Sequence, residues 1–187
     1  TLDLAYNQIG PAGAIKLAAA LPNTQIHTLS LGGNRIGDTG AQELAKILPS
    51  TQIHTLYLGD NQIGAVGASK LAATLPSTQL HTLNLDYNQQ IGAAGASELA
   101  AALPNTQIHT LNLYNNRIGD VGAQELAKVL SSTEIHTLSL GGNQISNAGA
   151  QQLANALSNT QIHTVNLREN NISAEMKRLL QQQHPNI

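Results

Sequence analysis

The sequence contains no cysteine, phenylalanine or tryptophan, and only four tyrosines. Without cysteine it has no disulfide framework, no zinc knuckle and no thiol nucleophile, a composition that suits a reducing compartment and a cytoplasmic location. Without large aromatics the core has to be assembled from Leu, Ile, Val and Ala in small layers. Charge is scarce too: nine Lys and Arg against eleven Asp and Glu leave a formal net charge of −2. No basic block faces nucleic acid or anionic lipid. No apolar run approaches the length of a membrane span, and Thr1 does not open a signal peptide. The expectation is a protein partner, with no nucleic acid, membrane, metal or cofactor, and a monomer.

What the sequence does have is a period. Histidine recurs at 27, 54, 81, 109, 136 and 163, every 27 residues except for one step of 28. Aligned on these, the unit reads I-H-T-L-x-L-x-x-N-x-I-G-x-x-G-A-x-x-L-A-x-x-L-P-x-T-Q, with the first Ile (or Leu) as position 1. Six copies begin at Ile26, Ile53, Leu80, Ile108, Ile135 and Ile162, and a partial copy opens the chain with Thr1 at position 3. Positions 4 and 6 alternate around a variable position 5, which predicts a short strand with one buried face. Position 9 is Asn in every copy: Asn7, Asn34, Asn61, Asn88, Asn116, Asn143 and Asn170. A buried amide there can satisfy backbone groups from layer to layer. The segment G-A-x-x-L-A-x-x-L carries the stripe of an amphipathic helix. Asp38, Asp120 and Asn147 stand where a helix N-cap is wanted, and Pro22, Pro49, Pro76 and Pro104 where the helix should stop. One β-α unit cannot bury its own faces, so neighbours must stack.

The unit resembles the leucine-rich repeat family, in its ribonuclease-inhibitor-like class, through the L-x-x-L-x-L-x-x-N-x-L pattern and the helical Leu spacing that follows. The resemblance implies an α/β solenoid, a horseshoe of about seven repeats of 27 to 28 residues, with parallel strands on the concave face and helices on the convex face. The loop after position 23 is four residues, as in Pro49-Ser50-Thr51-Gln52, one shorter than the class usually has. The near-identical "LPNTQIHTLNL" joints also resemble leucine-rich-repeat effectors of intracellular bacterial pathogens, which would place the protein in a host cytosol. The whole of 1–187 reads as one repeat domain. Its first repeat is incomplete, and 172–187 reads as a closing cap, where Met176 and His184 replace consensus residues.

Strand positions 5, 7 and 8 point to the concave face and have no core duty. They hold 21 of the 187 residues, yet all four tyrosines fall there: Tyr6, Tyr57, Tyr87 and Tyr114. Strand preference alone does not explain why no aromatic sits elsewhere, and Tyr is a typical interface anchor. The same positions carry Asp3, Asp60, Asp86 and Glu169 against Arg168, so the concave face is the acidic one. A basic or neutral docking surface would complement it. The candidate partner-binding residues are densest in the third to fifth repeats: Tyr57, Asp60, Asn84, Asp86, Tyr87, Asn112, Tyr114 and Asn115. Flanking repeats offer Gly32, Gly33, Gly141 and Gly142 and look nearly bare. The position-2 histidines read as a duplicated surface side chain, since a regular ladder supplies no convergent ligand geometry. No nucleophile–base pair or carboxylate dyad is brought together by the repeat.

The leading expectation is therefore a non-catalytic module that binds a protein on its concave face, as an inhibitor or a bacterial effector. Two others stand beside it: an accessory protein of the GTPase-activating type, which the class includes, and an engineered scaffold without an evolved ligand. One irregularity remains. The fourth copy carries an extra residue, Gln89-Gln90, between Asn88 and the core Ile91. It must bulge where the chain leaves the strand, either as a neutral loop insertion or as a device that re-aims Tyr87.

Overall fold

The computed structural model describes residues 1–184, so the last three residues of the expected cap, 185–187, lie outside the described residues. Each repeat delivers a strand and then a helix. The strands are β1 (Leu2–Asp3), β2 (Thr28–Ser30), β3 (Thr55–Tyr57), β4 (Thr82–Asn84), β5 (Thr110–Asn112), β6 (Thr137–Ser139) and β7 (Thr164–Asn166). The helices are α1 (Pro11–Ala20), α2 (Gly37–Ile47), α3 (Ala65–Thr74), α4 (Gly92–Ala102), α5 (Gly119–Val129), α6 (Asn147–Leu157) and α7 (Ala174–Gln183). Among the described residues the strands form one parallel sheet in chain order.

Register advances one repeat per strand: Leu29 pairs with Leu56, Leu56 with Leu83, Leu83 with Leu111, and Leu111 with Leu138. The two Leu columns at positions 4 and 6, from Leu29 and Leu31 to Leu138 and Leu140, are fully buried. The helical stripes meet them from the other side, as Gly40, Ala41, Leu44 and Ala45 do in α2. Leu, Ile, Val and Ala thus fill the core in layers, and a Leu-to-Ala change in one of them would cost about 2–5 kcal/mol. Strands stack about 4.8 Å apart, whereas packed helices need about 8–10 Å. A coil built from both must bend with its strands inside, so the parallel strands line the concave face and the helices the convex face.

The position-9 amides hold the layers together. Asn88 Oδ1 accepts the N–H of Asn61 (3.0 Å) and of Ile63 (2.9 Å), while its Nδ2 donates to the carbonyls of Leu58 (2.9 Å) and Leu85 (3.0 Å). Asn34, Asn143 and Asn170 repeat the pattern toward their own preceding layers. Among the described residues, no buried side-chain nitrogen or oxygen lacks a partner. A polar ladder in an aliphatic core is tolerated because every member is satisfied.

The helix ends differ from the sequence expectation. α2 and α5 begin at Gly37 and Gly119, so Asp38 and Asp120 sit inside the first turn and cap nothing in their own helix. They reach the next one. Asp38 Oδ1 accepts the N–H of Gly64 (2.7 Å) and of Gly67 (2.9 Å), at the start of α3. Asp120 accepts the N–H (2.7 Å) and the hydroxyl (2.6 Å) of Ser146 before α6. The Ser146 hydroxyl and that backbone donor hold its carboxyl below the usual range. Asn147 Oδ1 likewise accepts from Ser173 N–H (2.8 Å) ahead of α7. These three side chains bond between repeats, which adds polar bonds to the apolar stacking of neighbouring helices. Ser146 and Ser173 cap α6 and α7 locally by accepting the N–H of Ala148 (3.1 Å) and Met176 (3.2 Å).

The prolines are not the stop signal either. Pro22, Pro49, Pro76 and Pro104 each lie within a single 3-10 turn that follows the α-helix, and the fifth layer makes the same turn with Ser131. What recurs is threonine. The hydroxyls of Thr24, Thr51, Thr78, Thr106 and Thr133 donate to the Leu carbonyl three residues back, at 2.7 to 2.9 Å. The backbone N–H of each threonine donates to the same carbonyl, so one residue closes the turn with two bonds.

The extra residue is absorbed after the strand. β4 keeps its register with β3 and β5, and Ile91 is still fully buried. Gln89 and Gln90 are exposed, and Gln90 bridges to Gly64 of the preceding layer. One bond changes. Ile9, Ile36, Ile63, Ile118 and Ile145 donate to the next layer's Asn Oδ1, whereas Ile91 N–H turns back to the Asn88 carbonyl at 2.9 Å.

Candidate binding surface on the strand face

The residues on the concave face are aimed by a backbone turn that repeats in every layer. To bury the Asn at position 9, the chain leaves each strand through a residue in the left-handed region. Position 8 has φ of +58° at Tyr6, +66° at Gly33, +51° at Asp60, +53° at Tyr87, +55° at Asn115, +66° at Gly142 and +58° at Glu169. Gly, Asn and Asp accept this conformation, whereas for Tyr and Glu it is costly. Tyr6 and Tyr87 therefore stand where local preference argues against them, and both are exposed, at 82% and 49%. Tyr87 has a φ close to that of its counterparts, so the insertion leaves the backbone at this position unchanged.

Position 5 fixes the next turn of chain. Asn84 Oδ1 accepts the N–H of Asp86 at 2.8 Å, Asn112 Oδ1 that of Tyr114 at 3.0 Å, and Asn166 Oδ1 that of Arg168 at 3.0 Å. Asp3 does the same for Ala5 at 3.0 Å, and this bond, with the Ser30 hydroxyl, holds its carboxyl below the usual range. Asn84 and Asn112 thus spend their side-chain carbonyl oxygens on the fold.

The eight candidate residues fall into two groups. Tyr57, Asp60, Asn84, Asp86 and Tyr87 line one cavity of about 410 Å³, together with Tyr6 from the first layer. Its floor is backbone at Gly32, Gly33 and Gly59. A Cβ at Gly33 would fall inside the Tyr6 ring, and one at Gly59 would meet the Asp86 carboxylate. Gly33 of the second repeat is thus the bed for Tyr6, and Gly59 of the third is the bed for Asp86. Asp86 is half-buried, and that burial, with Asp60 adding repulsion, pushes its carboxyl up against the opposing bonds from Asn84 and Asn112. Sequence reasoning left Tyr6 out of the site. The signal was present in its position 8, one layer below Gly33.

Tyr114 and Asn112 border this cavity without lining it. The Tyr114 ring lies 5.3 Å from that of Tyr87, tilted by 49°. It covers Gly141, where a Cβ would lie 2.7 Å from the ring, and its hydroxyl donates to Glu169 two layers on. That bond pushes the Tyr114 phenol up to about 12. Asn112 Nδ2 reaches Asp86 Oδ2 at 3.4 Å, and Asn115 is held by its N–H to the Gly141 carbonyl at 2.8 Å.

The histidine column runs along the start of the strands. The rings of His27, His54, His81, His109, His136 and His163 follow one another at 5.0 to 5.4 Å, most of them stacked. Parallel rings present their nitrogens side by side, whereas metal ligands must converge on one point. Among the described residues no helix is long and apolar enough to cross a membrane.

With this geometry in place, known proteins sort the chain clearly. The pattern of the leucine-rich repeat matches residues 1–18, 23–45, 50–72, 77–100, 105–127 and 131–154. The chain belongs to the leucine-rich repeat family. No curated protein matches it. Among solved structures, this leucine-rich repeat chain is similar to actin-binding site 2 of leiomodin-1, with TM-score 0.56 and 19% identity over 60% of this chain and 69% of that one. It is also similar to a leucine-rich repeat protein of Leptospira interrogans, with TM-score 0.51 and 16% identity over 97% of this chain. The chain spans 46% of that protein's length. At these identities the likeness concerns the fold. Leucine-rich repeats are protein-interaction modules built as extended curved surfaces, and in this chain the tyrosines lie on the concave strand face.

Proposed function

We propose that the protein is a non-catalytic interaction module whose strand face docks a basic or neutral surface of a protein partner and, by covering it, inhibits or redirects that partner. The observation that carries this reading is the cost of the arrangement. Tyr6 and Tyr87 occupy left-handed positions that Gly fills in the second and sixth layers, and both are exposed to solvent. Nothing in the packing of the solenoid calls for a ring there. Rigid, amphipathic Tyr anchors surrounded by Asp and Asn amides suit a protein interface. The same fold carries an actin-binding site in leiomodin-1, which agrees with a protein as the ligand.

The test compares the immobilised protein with a Tyr57→Ala/Tyr87→Ala/Tyr114→Ala variant in capture from cell extract, read by mass spectrometry. A Glu43→Ala/Lys46→Ala variant on the exposed face of α2 serves as the control. Proteins held by the wild type and by the helix-face variant should be lost from the tyrosine variant, whose circular dichroism should be unchanged. An identical captured set for all three would refute the reading.

A further inference from the structure

We propose that the cavity between Tyr6, Tyr57 and Tyr87 is a cation site that takes an arginine side chain of the protein partner. This rests on the strand-face reading above and assigns its first anchoring contact.

Three observations point to a guanidinium. The first is the wall chemistry. Three Tyr rings and the carboxylates of Asp60 and Asp86 line one cavity of about 410 Å³, and no Lys, Arg or His is among its lining residues. The faces of aromatic rings attract cations, and carboxylates supply the opposite charge. The second is the floor. Gly33 leaves room for the Tyr6 ring and Gly59 for the Asp86 carboxylate, so walls from four layers converge over bare backbone. The space is built by the placing of glycine as much as by the placing of tyrosine. The third is an uncompensated charge. Asp60 and Asp86 repel one another, and among the described residues neither is paired with a Lys, Arg or His. A cation in the cavity would relieve a repulsion that the free protein keeps.

The same observations choose among cations. A hard divalent ion needs six or more oxygen ligands around it, and tyrosine walls cannot complete that shell. An ammonium is a compact, strongly hydrated point charge. A guanidinium is planar, weakly hydrated and stacks on aromatic faces while its fork of N–H donors reaches two carboxylates at once. Asn84 does not compete, because its carbonyl oxygen is held by the Asp86 N–H. The cavity is open to solvent along the strand face, which suits a side chain projecting from another protein's surface.

The test uses a short blocked peptide, acetyl-Gly-Arg-Gly-amide, titrated into the intact protein and followed by the aromatic proton resonances of its tyrosines. Two peptides of equal length accompany it, one with Lys and one with the neutral isostere citrulline in place of Arg. The arginine peptide should shift the Tyr6, Tyr57 and Tyr87 resonances saturably, while the Lys and citrulline peptides bind more weakly. Asp60→Asn/Asp86→Asn should weaken the arginine peptide by about tenfold or more, and Tyr57→Ala by a similar factor. These positions lie on the solvent side of the sheet, and thermal melting of each variant establishes that it is folded. Equal binding of arginine and citrulline peptides, a lysine peptide as tight as the arginine one, or a folded double-Asn variant with unchanged affinity would each overturn the assignment. If the arginine peptide fails while partner capture still depends on the tyrosines, only the cation site falls. If the peptide binds while capture survives the triple tyrosine change, the strand-face reading falls instead.

Discussion

Asp86 shows in one residue what a half-buried carboxylate on the strand face costs in stability. Its carboxyl is pushed up mainly by burial, with Asp60 adding to the effect. The folded chain therefore binds the proton more tightly than the unfolded chain does. The ionised group costs stability above the folded value, and that cost vanishes once pH falls below the unfolded value near about 4. Asp86→Asn keeps the shape and removes the charge. At pH 7 the variant should melt about 1–3 °C above the wild type, a size already discounted for solvent screening, and the two curves should draw together as pH falls toward 4. Parallel curves at all pH values would place the cause elsewhere. The residue types were legible in the sequence, because position 7 of a strand that buries positions 4 and 6 must face outward. What was hidden was the neighbour. That Asp86 leans over Gly59, and that Tyr114 crosses Gly141 to reach Glu169, depends on contacts between layers that a single repeat does not encode.

The strand-loop-helix element raises the same point for its ends. The strands and helices were legible as periods of two and of about 3.6 residues, and they stand where those periods place them. The stops and caps were not. Asp38, Asp120 and Asn147 were assigned to their own helices because capping is local in most proteins, whereas here the acceptor serves the next turn of the solenoid. Pro looked like the terminator because it recurs, but the Thr two residues later makes the bond that closes the turn. The insertion at Gln89-Gln90 belongs to this scale. It bulges without moving β4, and it turns the Ile91 N–H away from the Asn ladder. Deleting Gln90 should return that N–H to Asn116 Oδ1, the bond made by the equivalent Ile of the other layers. The deletion should leave the melting temperature equal or higher and the titration by the arginine peptide unchanged. A folded deletion variant that no longer binds the peptide would mean that the bulge aims Tyr87 after all.

At the scale of the whole molecule, the layers share one mechanical principle. Each contacts only its neighbours, so stability is close to a sum of layer terms and couplings between layers. Much of the polar coupling passes through the position-9 amides. In the middle of the chain Asn88 satisfies two N–H groups of the preceding layer and carbonyls of that layer and its own. Asn88→Ala would strand these groups in an aliphatic core at a cost of at least about 3 kcal/mol. Because the coupling is local, the loss should be local too. Hydrogen exchange followed residue by residue should show the amides of Asn61 and Ile63 losing protection first and most, while those in β6 and α6 keep most of theirs. The wild type should be best protected in β3 to β5. It should be least protected in β1 and in the last layer, where α7 stands off β7 across a cavity of about 730 Å³. Uniform loss of protection along the chain would instead mean that the layers open together and that the amide ladder is not what couples them. The proposed binding face depends on the same coupling. Its cavity draws Tyr6, Tyr57 and Tyr87 from separate layers. Asn88→Ala, which loosens the third layer's hold on the fourth, should weaken the arginine peptide even in a chain that is still folded.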